Sequence, residues 1–187
     1  MIKVTYPEIQ DKIALFENLH QSHGISGIVD KLKERGFFEY PAAIKYHHNN
    51  EGGLFDHSYE VYLYLLTYFN NIFSKLECFE IGFFHDLCKL KEYVKDNNGN
   101  FVKSPLYSDP KYLKNHSIQH GMLSLTILEE ELGYKCSSDK VRHCIVFHQG
   151  VYGLDTEGLN LYDKAVKDTP EVLIAHVADM LSAKLHS

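Results

Sequence analysis

Hydrophobic side chains recur along most of this chain at the three- and four-residue intervals of amphipathic helices. The pattern predicts a first helix from Pro7 to about His20 and a second from about Ser26 to Arg35, ending at Gly36. Between Phe37 and Gly53 the periodicity gives way to proline, paired asparagines and paired glycines, which are typical of a loop. The N-terminal part therefore predicts two helices followed by a long loop.

The rest of the chain predicts further helices and one β-hairpin. Tyr93–Lys95 and Phe101–Lys103 are short β-forming segments on either side of a turn that contains Gly99, and a loop with Pro105 and Pro110 follows them. The predicted helices are Phe55–Phe73, Leu76–Leu90, an N-cap at Asn115 to about Leu132, an N-cap at Ser138 to His148, and an N-cap at Thr169 through Asp179. We expect an all-α helical bundle with a small β-hairpin insertion.

The composition is that of one ordinary globular domain. The chain has 187 residues, of which 44% are hydrophobic, and no apolar run is long enough to span a bilayer. Met1–Tyr6 lacks the apolar stretch of a signal peptide. The cysteines show no C-x-x-C spacing and indicate reduced thiols; they are Cys78, Cys88, Cys136 and Cys144. We therefore expect a cytoplasmic protein without a membrane partner.

The charge of the chain narrows the choice of partner. Its net charge is −6, and lysine and arginine do not cluster in any segment. Tight binding to a long nucleic acid normally requires a basic surface that neutralises several phosphates. We therefore expect no long nucleic acid among its partners.

Histidines and aspartates that recur along the chain are the candidate functional residues. His85 and Asp86 end an apolar segment, where a buried imidazole and a buried carboxylate must each find a partner. A divalent metal ion satisfies both, and helices packed as a bundle can direct further ligands to the same point. Imidazole together with carboxylate suits zinc, iron, manganese or nickel. The other candidate ligands, in chain order, are His57, His116, His120, His148 and Asp179.

Several stretches resemble the motifs of the HD-domain metal-dependent phosphohydrolase superfamily. Gly52–Ser58 is similar to its G-G-L-x-[ED]-H-[ST] motif, and Phe83–Lys89 to its [LF]-x-H-D-[IL]-x-K motif. His120–Ser124 and Val146–Gly150 resemble its third and fourth histidine motifs. Pro41–His48 is similar to the P-A-A-x-x-x-H-H of bacterial 3′–5′ exoribonucleases, and phage and prophage HD hydrolases share much of this pattern. Those exoribonucleases carry an additional OB-type domain that this chain has no room for.

The resemblance implies a metal-binding core over residues 51–187, with residues 1–50 as accessory helices and loop. The core would hold one or two divalent ions (Mn, Fe, Ni, Co, Zn or Mg). In the superfamily's arrangement, Asp86 binds the first ion and bridges to the second. The other ligands implied for the first ion are His57, His85 and Asp179, and those for the second are His120 and His148.

Other polar residues near these motifs are candidates for contact with the substrate. Asp86 and Lys89 are the expected catalytic residues, because Lys89 follows the His-Asp pair by one helical turn and can offer a positive charge to a phosphoryl group. His47 and His48 can donate hydrogen bonds to a phosphate. His116 is a further candidate for substrate contact, or for supporting or replacing His120 at the metal.

The function implied is hydrolysis of a phosphomonoester or phosphodiester of a nucleotide or short oligonucleotide by a metal-activated water. One alternative is an HD-type mixed-valent diiron oxygenase acting on a small molecule, which uses the same order of ligands. A second alternative is a nucleotide-binding module without catalysis. Lys89 and the motifs around His48 and Gly52 favour hydrolysis.

Overall fold

The computed structural model describes residues 8–23 and 27–185 and is built almost entirely of helices. A 3₁₀ turn at Pro105–Ser108 precedes the helix Pro110–Leu113. A π-helical turn at Ile127–Glu131 extends the helix His116–Thr126. This architecture confirms the expected all-α fold with a small hairpin. The helices and strands are α1 Ile9–Ser22, α2 Val29–Glu34, α3 Gly53–Tyr68, α4 Lys75–Phe84, α5 Lys89–Glu92, β1 Tyr93–Lys95, β2 Phe101–Lys103, α6 Pro110–Leu113, α7 His116–Thr126, α8 Asp139–Phe147, α9 Thr156–Asp168 and α10 Glu171–Leu185.

A continuous hydrophobic core joins α1 and α2 to the later helices. Phe16 of α1 is fully buried, and its ring centroid lies 5.0 Å from that of Phe83 in α4. Leu32 of α2 and Phe37 belong to the same buried cluster. In the described part of the chain no helix is both long and apolar enough to cross a bilayer.

Two glycines allow the helices that carry the candidate ligands to approach closely. A Cβ atom on Gly82 of α4 would lie 2.6 Å from Cα of Tyr62 in α3, and one on Gly121 of α7 would lie 2.2 Å from the carbonyl oxygen of Val146 in α8. Both distances are far below van der Waals contact, so any larger residue would separate the helix pair. The first approach brings the His57 and His85 segments together.

The predicted hairpin is confirmed with the same bounds, but two helices end earlier than predicted. In the hairpin, Val94 pairs with Val102 in an antiparallel register. The prediction that α3 continues to Phe73 is wrong: it ends at Tyr68, and a turn through two asparagines follows, a residue type that favours turns. The prediction that α4 continues to Leu90 is also wrong, because it ends at Phe84.

The break after α4 has a visible cause. The backbone N–H of Cys88 donates to Oγ of Ser124 in α7 at 3.0 Å rather than to the carbonyl four residues earlier. The chain then forms a tight turn, in which the N–H of Lys89 donates to the carbonyl of Asp86 at 3.0 Å, and α5 starts. The His-Asp pair therefore lies in a turn between two helices.

Other differences concern helix starts. Helix α9 was not predicted, although its apolar residues recur at helical spacing within a mainly polar sequence. Asn115 stands at the N-cap of α7 but makes no capping bond, since it adopts φ +54° and its Oδ1 accepts from the N–H of Asp155. Oγ of Ser138 does cap α8, at 3.3 Å from the N–H of Val141. Pro7 and Ser26, the predicted starts of the first two helices, lie outside the described residues, as does Met1–Tyr6.

Candidate metal centre

Asp86 lies at the centre of a buried cluster of histidines. Its Oδ1 is 2.5 Å from Nε2 of His120 and 3.5 Å from Nε2 of His148, while its Oδ2 is 3.8 Å from Nε2 of His57. These side chains come from the turn after α4, from α7, from the end of α8 and from α3. The fold therefore brings residues that are far apart in sequence to one carboxylate.

Asp179 of α10 lies on the other side of the same cluster. Its Oδ1 is 3.1 Å from Nε2 of His57 and 3.9 Å from Nε2 of His85, and these two nitrogens are 3.1 Å apart. His57, His85 and Asp86 can offer ligand atoms to one ion, and Asp86, His120 and His148 to another. Because Asp86 belongs to both groups, the geometry suits either one ion or a pair that shares this carboxylate.

Hydrogen bonds on the outer side of His85 and His148 fix the orientation of both imidazoles. Nδ1 of His85 lies 3.1 Å from the carbonyl oxygen of Ile81 and 3.0 Å from that of Gly82. Nδ1 of His148 lies 2.8 Å from the carbonyl oxygen of Ile145. A carbonyl oxygen can only accept, so each Nδ1 carries a proton and Nε2 is the ring atom that faces the cluster.

His57 is oriented in the same sense by a short relay of side chains. Its Nδ1 lies 2.8 Å from Oγ of Ser182, and the Ser182 hydroxyl donates to Oε2 of Glu60 at 2.6 Å. All three side chains are buried. Because the serine hydroxyl is committed to the carboxylate, its oxygen accepts from His57, whose Nε2 faces Asp86 and Asp179.

The donor set fits a divalent metal ion. Nε2 of His148 is buried without a hydrogen-bond partner, although a buried polar atom normally has one. Burial lowers the pKa of His85 to about 4, so this imidazole is neutral at neutral pH, as a metal ligand must be. The six side chains expected to bind metal are brought together; they are His57, His85, Asp86, His120, His148 and Asp179.

The charges around Asp86 keep it ionised. Burial alone would raise its pKa, but Lys89 and His120 hold the pKa of Asp86 well below its usual value. Likewise, burial opposes ionisation of Asp179, yet the His57 side chain 3.1 Å away lowers the pKa of Asp179. Both carboxylates are therefore ready to bind a cation at neutral pH.

Glu92 is a central residue of the site that the sequence did not reveal. It is completely buried at the end of α5 and accepts hydrogen bonds from Nδ1 of His120 at 2.9 Å, from Nζ of Lys89 at 3.1 Å and from the hydroxyl of Tyr112. Burial alone would raise the pKa of Glu92, but Lys89 and His120 lower it far below its usual value. The available signal was the spacing of Lys89 and Glu92, which places them on one helix face.

Lys89 lies beside the cluster, held by this same glutamate. Its side chain is 12% exposed, and its Nζ lies 5.6 Å from the centre of the Tyr93 ring. Burial alone would lower its pKa, but Glu92 and Asp86 raise the pKa of Lys89 well above its usual value. The lysine is therefore a fixed positive charge next to Asp86.

The other expected substrate contacts occupy different positions. The His47 ring centroid lies 5.2 Å from that of His57, and burial lowers the pKa of His47 to about 4, so it is neutral. Nε2 of His48 lies 3.2 Å from Oε1 of Glu60, with the side chain largely buried. Nε2 of His116 lies 3.5 Å from Oε1 of Glu92. His116 therefore contacts Glu92, whereas His120 contacts both Glu92 and Asp86.

The cysteines are free thiols, in agreement with the expectation from their spacing. Cys88 is the one nearest the cluster, with its Sγ 3.1 Å from Nε2 of His120. Burial raises the pKa of Cys88 to about 11, so its sulfur is a protonated thiol at neutral pH. Cys88, Glu92 and His120 could also offer ligand atoms to an ion, but this group includes a soft sulfur donor, whereas the groups around Asp86 offer only nitrogen and oxygen.

Comparison with known proteins gives one match. A family model described as HD domain matches residues 54–184, which run from the first turn of α3 to the last turn of α10 and include every ligand candidate in the cluster. Neither the curated proteins nor the solved structures contain a match to the chain.

Proposed function

This chain belongs to the HD-domain metal-dependent phosphohydrolase superfamily, and from that membership we propose that it cleaves a phosphate ester of a nucleotide or short oligonucleotide. The bond would be a phosphomonoester or a phosphodiester. The observation that supports this proposal is the convergence of four imidazole nitrogens on the carboxylates of Asp86 and Asp179, with the charge of Lys89 beside them.

The cluster provides the residues for metal binding. In our proposal the first ion is held by His57, His85, Asp86 and Asp179, and Asp86 is shared with a second ion. That second ion is held by His120 and His148. A bound divalent ion supplies acidity to a water molecule and neutralises charge on phosphoryl oxygens.

The remaining polar residues act on the substrate. Lys89, held by Glu92, places a fixed positive charge where a phosphoryl group gains negative charge during displacement. His47, which is neutral and lies against the ring of His57, donates a hydrogen bond to the phosphate. His48 and His116 remain candidates for substrate contact, and in the structure their rings lie next to the carboxylates of Glu60 and Glu92.

A small substrate fits the charge of the protein better than a long polymer. The chain has a net charge of −6, whereas binding along a nucleic acid requires many cationic contacts. We therefore propose a nucleotide or a short oligonucleotide, and no membrane or long nucleic acid as a partner.

The proposal is tested by a screen for hydrolysis. Purified protein is incubated with manganese, nickel, cobalt, iron, zinc or magnesium and with nucleoside mono- and triphosphates, cyclic nucleotides, short RNA and DNA, and an artificial phosphodiester. Release of phosphate or nucleoside from a phosphomonoester, or of a nucleotide or the artificial leaving group from a phosphodiester, by the wild type and not by an Asp86→Ala variant prepared in the same way, supports the proposal. The variant controls for contaminating phosphatases.

One pattern of results would contradict the proposal. If metal-loaded protein releases nothing from any of these compounds, hydrolysis of nucleotides is wrong. Iron-dependent oxygen uptake with a small polyol or a phosphonate would then assign the site to oxygenase chemistry.

A further inference from the structure

A cavity of about 650 Å³ lies between the loop before His47 and the β-hairpin. This volume is within the range of pockets that bind small molecules. Its walls include four aromatic rings and two lysines. The lining residues that matter here are Lys45, Tyr46, Tyr93, Phe101, Lys103 and Tyr107.

The walls of this cavity contact the candidate metal centre on two sides. The Tyr93 ring lies 5.6 Å from Nζ of Lys89, and the Tyr107 ring centroid lies 5.7 Å from that of His116. On the other side, Tyr46 directly precedes His47, whose ring approaches His57. A compound bound in the cavity therefore lies next to the residues that we assign to the phosphate.

The charge of the cavity differs from that of the whole protein. The lining includes Lys45 and Lys103 and no carboxylate among the described residues, although the chain has a net charge of −6. Nζ of Lys103 lies 4.1 Å from the centre of the Tyr107 ring, so a cation and an aromatic face are presented together. This combination suits a flat ring that carries an anionic group.

Tyr46 is the most exposed aromatic residue in the lining. Its side chain is 78% exposed, so burial in the protein core does not account for an aromatic ring at this position. Exposed aromatic rings beside lysines are the usual means by which proteins hold unpaired nucleobases.

We propose that this cavity binds the base of the nucleotide, stacked on Tyr46, with the phosphate directed past Lys103 to Lys89. The inference rests on the proposed function for the identity of the phosphate-bearing compound. The stacking contact itself does not depend on catalysis, so it can be measured separately.

The experiment compares two ligands that differ only in the base. Full-length protein with MnCl₂ is titrated calorimetrically with the methylenephosphonate analogues of adenosine 5′-monophosphate and of ribose 5-phosphate, in which CH₂ replaces the ester oxygen and prevents cleavage. The adenosine analogue should bind at least about tenfold more tightly, because stacking of one base on an aromatic ring typically increases affinity by about this factor. Tyr46→Ala should remove most of this difference and leave the ribose analogue unchanged, whereas Tyr46→Phe should preserve it.

The chain offers a matched control for the tyrosine and one for the lysine. Tyr152 is 79% exposed but lies in the turn between α8 and α9, outside the lining, so Tyr152→Ala should change neither affinity. Lys103→Gln should weaken the adenosine analogue several-fold, and Lys167→Gln, on the exposed surface of α9, should not. Equal binding of the two analogues by the wild type, or no binding of either, overturns the proposal, as does an equal effect of Tyr46→Ala and Tyr152→Ala.

Failure of this inference and failure of the proposed function give different results. Hydrolysis in the screen without any preference for the adenosine analogue would overturn the base pocket and leave the phosphohydrolase. A base preference that depends on Tyr46, in a protein that hydrolyses nothing, would support the pocket and contradict the phosphohydrolase.

Discussion

Oε1 of Glu92 lies 2.9 Å from Nδ1 of His120, on the side of the imidazole opposite Asp86. This places the histidine between two carboxylates, of which the outer one fixes its orientation. Carboxylates in this position orient a metal-binding histidine and increase its basicity. Glu92 also holds Lys89, so one buried side chain positions both a candidate metal ligand and the lysine that we propose to act on the phosphate.

Replacing Glu92 with glutamine should weaken metal binding. Glutamine preserves the volume but removes the charge that polarises His120, and loss of such a partner typically costs about 10–100-fold in metal affinity. The affinity for Mn²⁺ is measured by calorimetric titration of the variant and the wild type. Glu130→Gln is the matched control, because Glu130 is exposed.

A merely structural role for Glu92 predicts a different result. In that case Glu92→Gln would lower the melting temperature while metal affinity, measured on folded protein, stays at the wild-type value. That outcome would exclude the positioning of His120.

Replacing Asp86 with alanine should remove bound metal and activity together. Asp86 is shared by the two ligand groups, so its loss leaves neither group complete. Elemental analysis of protein purified without chelator measures the metal content.

Manganese should also raise the melting temperature of the wild type. A ligand that binds only the folded state stabilises it, by about 4 kcal/mol when the ligand concentration is a thousand times its Kd. The Asp86→Ala variant should show no such increase, whereas Asp163→Ala, on the exposed surface of α9, should behave as wild type.

Replacing Lys89 with alanine should lower turnover without removing metal. Lys89 is not part of either ligand group, but its charge lies beside Asp86. Loss of one electrostatic contact to a transition state typically costs about 10²–10³-fold in kcat. Steady-state kinetics and metal analysis of the same preparation test this. The control is Lys91→Ala, whose lysine pairs with Glu131 on the surface. Unchanged kcat in Lys89→Ala would assign the lysine to structure alone.

Helix α9 is the part of the fold that the sequence analysis missed. Most of the other long helices were predicted close to their observed positions, because burial of an apolar face decides the structure. Within α9 apolar residues also recur at helical spacing, and Tyr162 and Ala165 are buried, but polar residues outnumber them and the segment was not predicted as a helix. Its start was marked by Asp155, which accepts a hydrogen bond from the N–H of Gly158 at 2.9 Å, as an N-cap does.

For the candidate site, too, some residues were indicated by the sequence and others were missed. The likeness to the motifs around His57 and His85 pointed to the residues that meet at the centre, because those motifs have fixed spacing. Glu92 and Ser182 were missed, since their role comes from tertiary contacts with histidines that are distant in sequence. Sequence spacing alone does not specify which buried carboxylate or hydroxyl faces the outer nitrogen of a given ring.

A buried ion pair connects α1 with the start of α3, one residue before His57. Nζ of Lys12 lies 2.8 Å from Oδ1 of Asp56 and 3.3 Å from the carbonyl oxygen of Gly52, and both side chains are almost completely buried. Burial raises the pKa of Asp56, although Lys12 opposes this shift. The pair therefore fixes the N-terminal helix to the segment that carries the first histidine.

Removing Lys12 alone should destabilise the protein strongly, because Asp56 would keep a buried charge without a partner. Breaking such a pair lowers the free energy of unfolding by about 3–5 kcal/mol. For a chain of this size that lowers the melting temperature on the order of 10 °C. Thermal unfolding of Lys12→Met, Asp56→Asn and the double variant measures it. The double variant should recover much of the loss, since it leaves no uncompensated charge. If Lys12→Met unfolds at the wild-type temperature, or if the two single effects simply add, the pair does not hold α1 to the core.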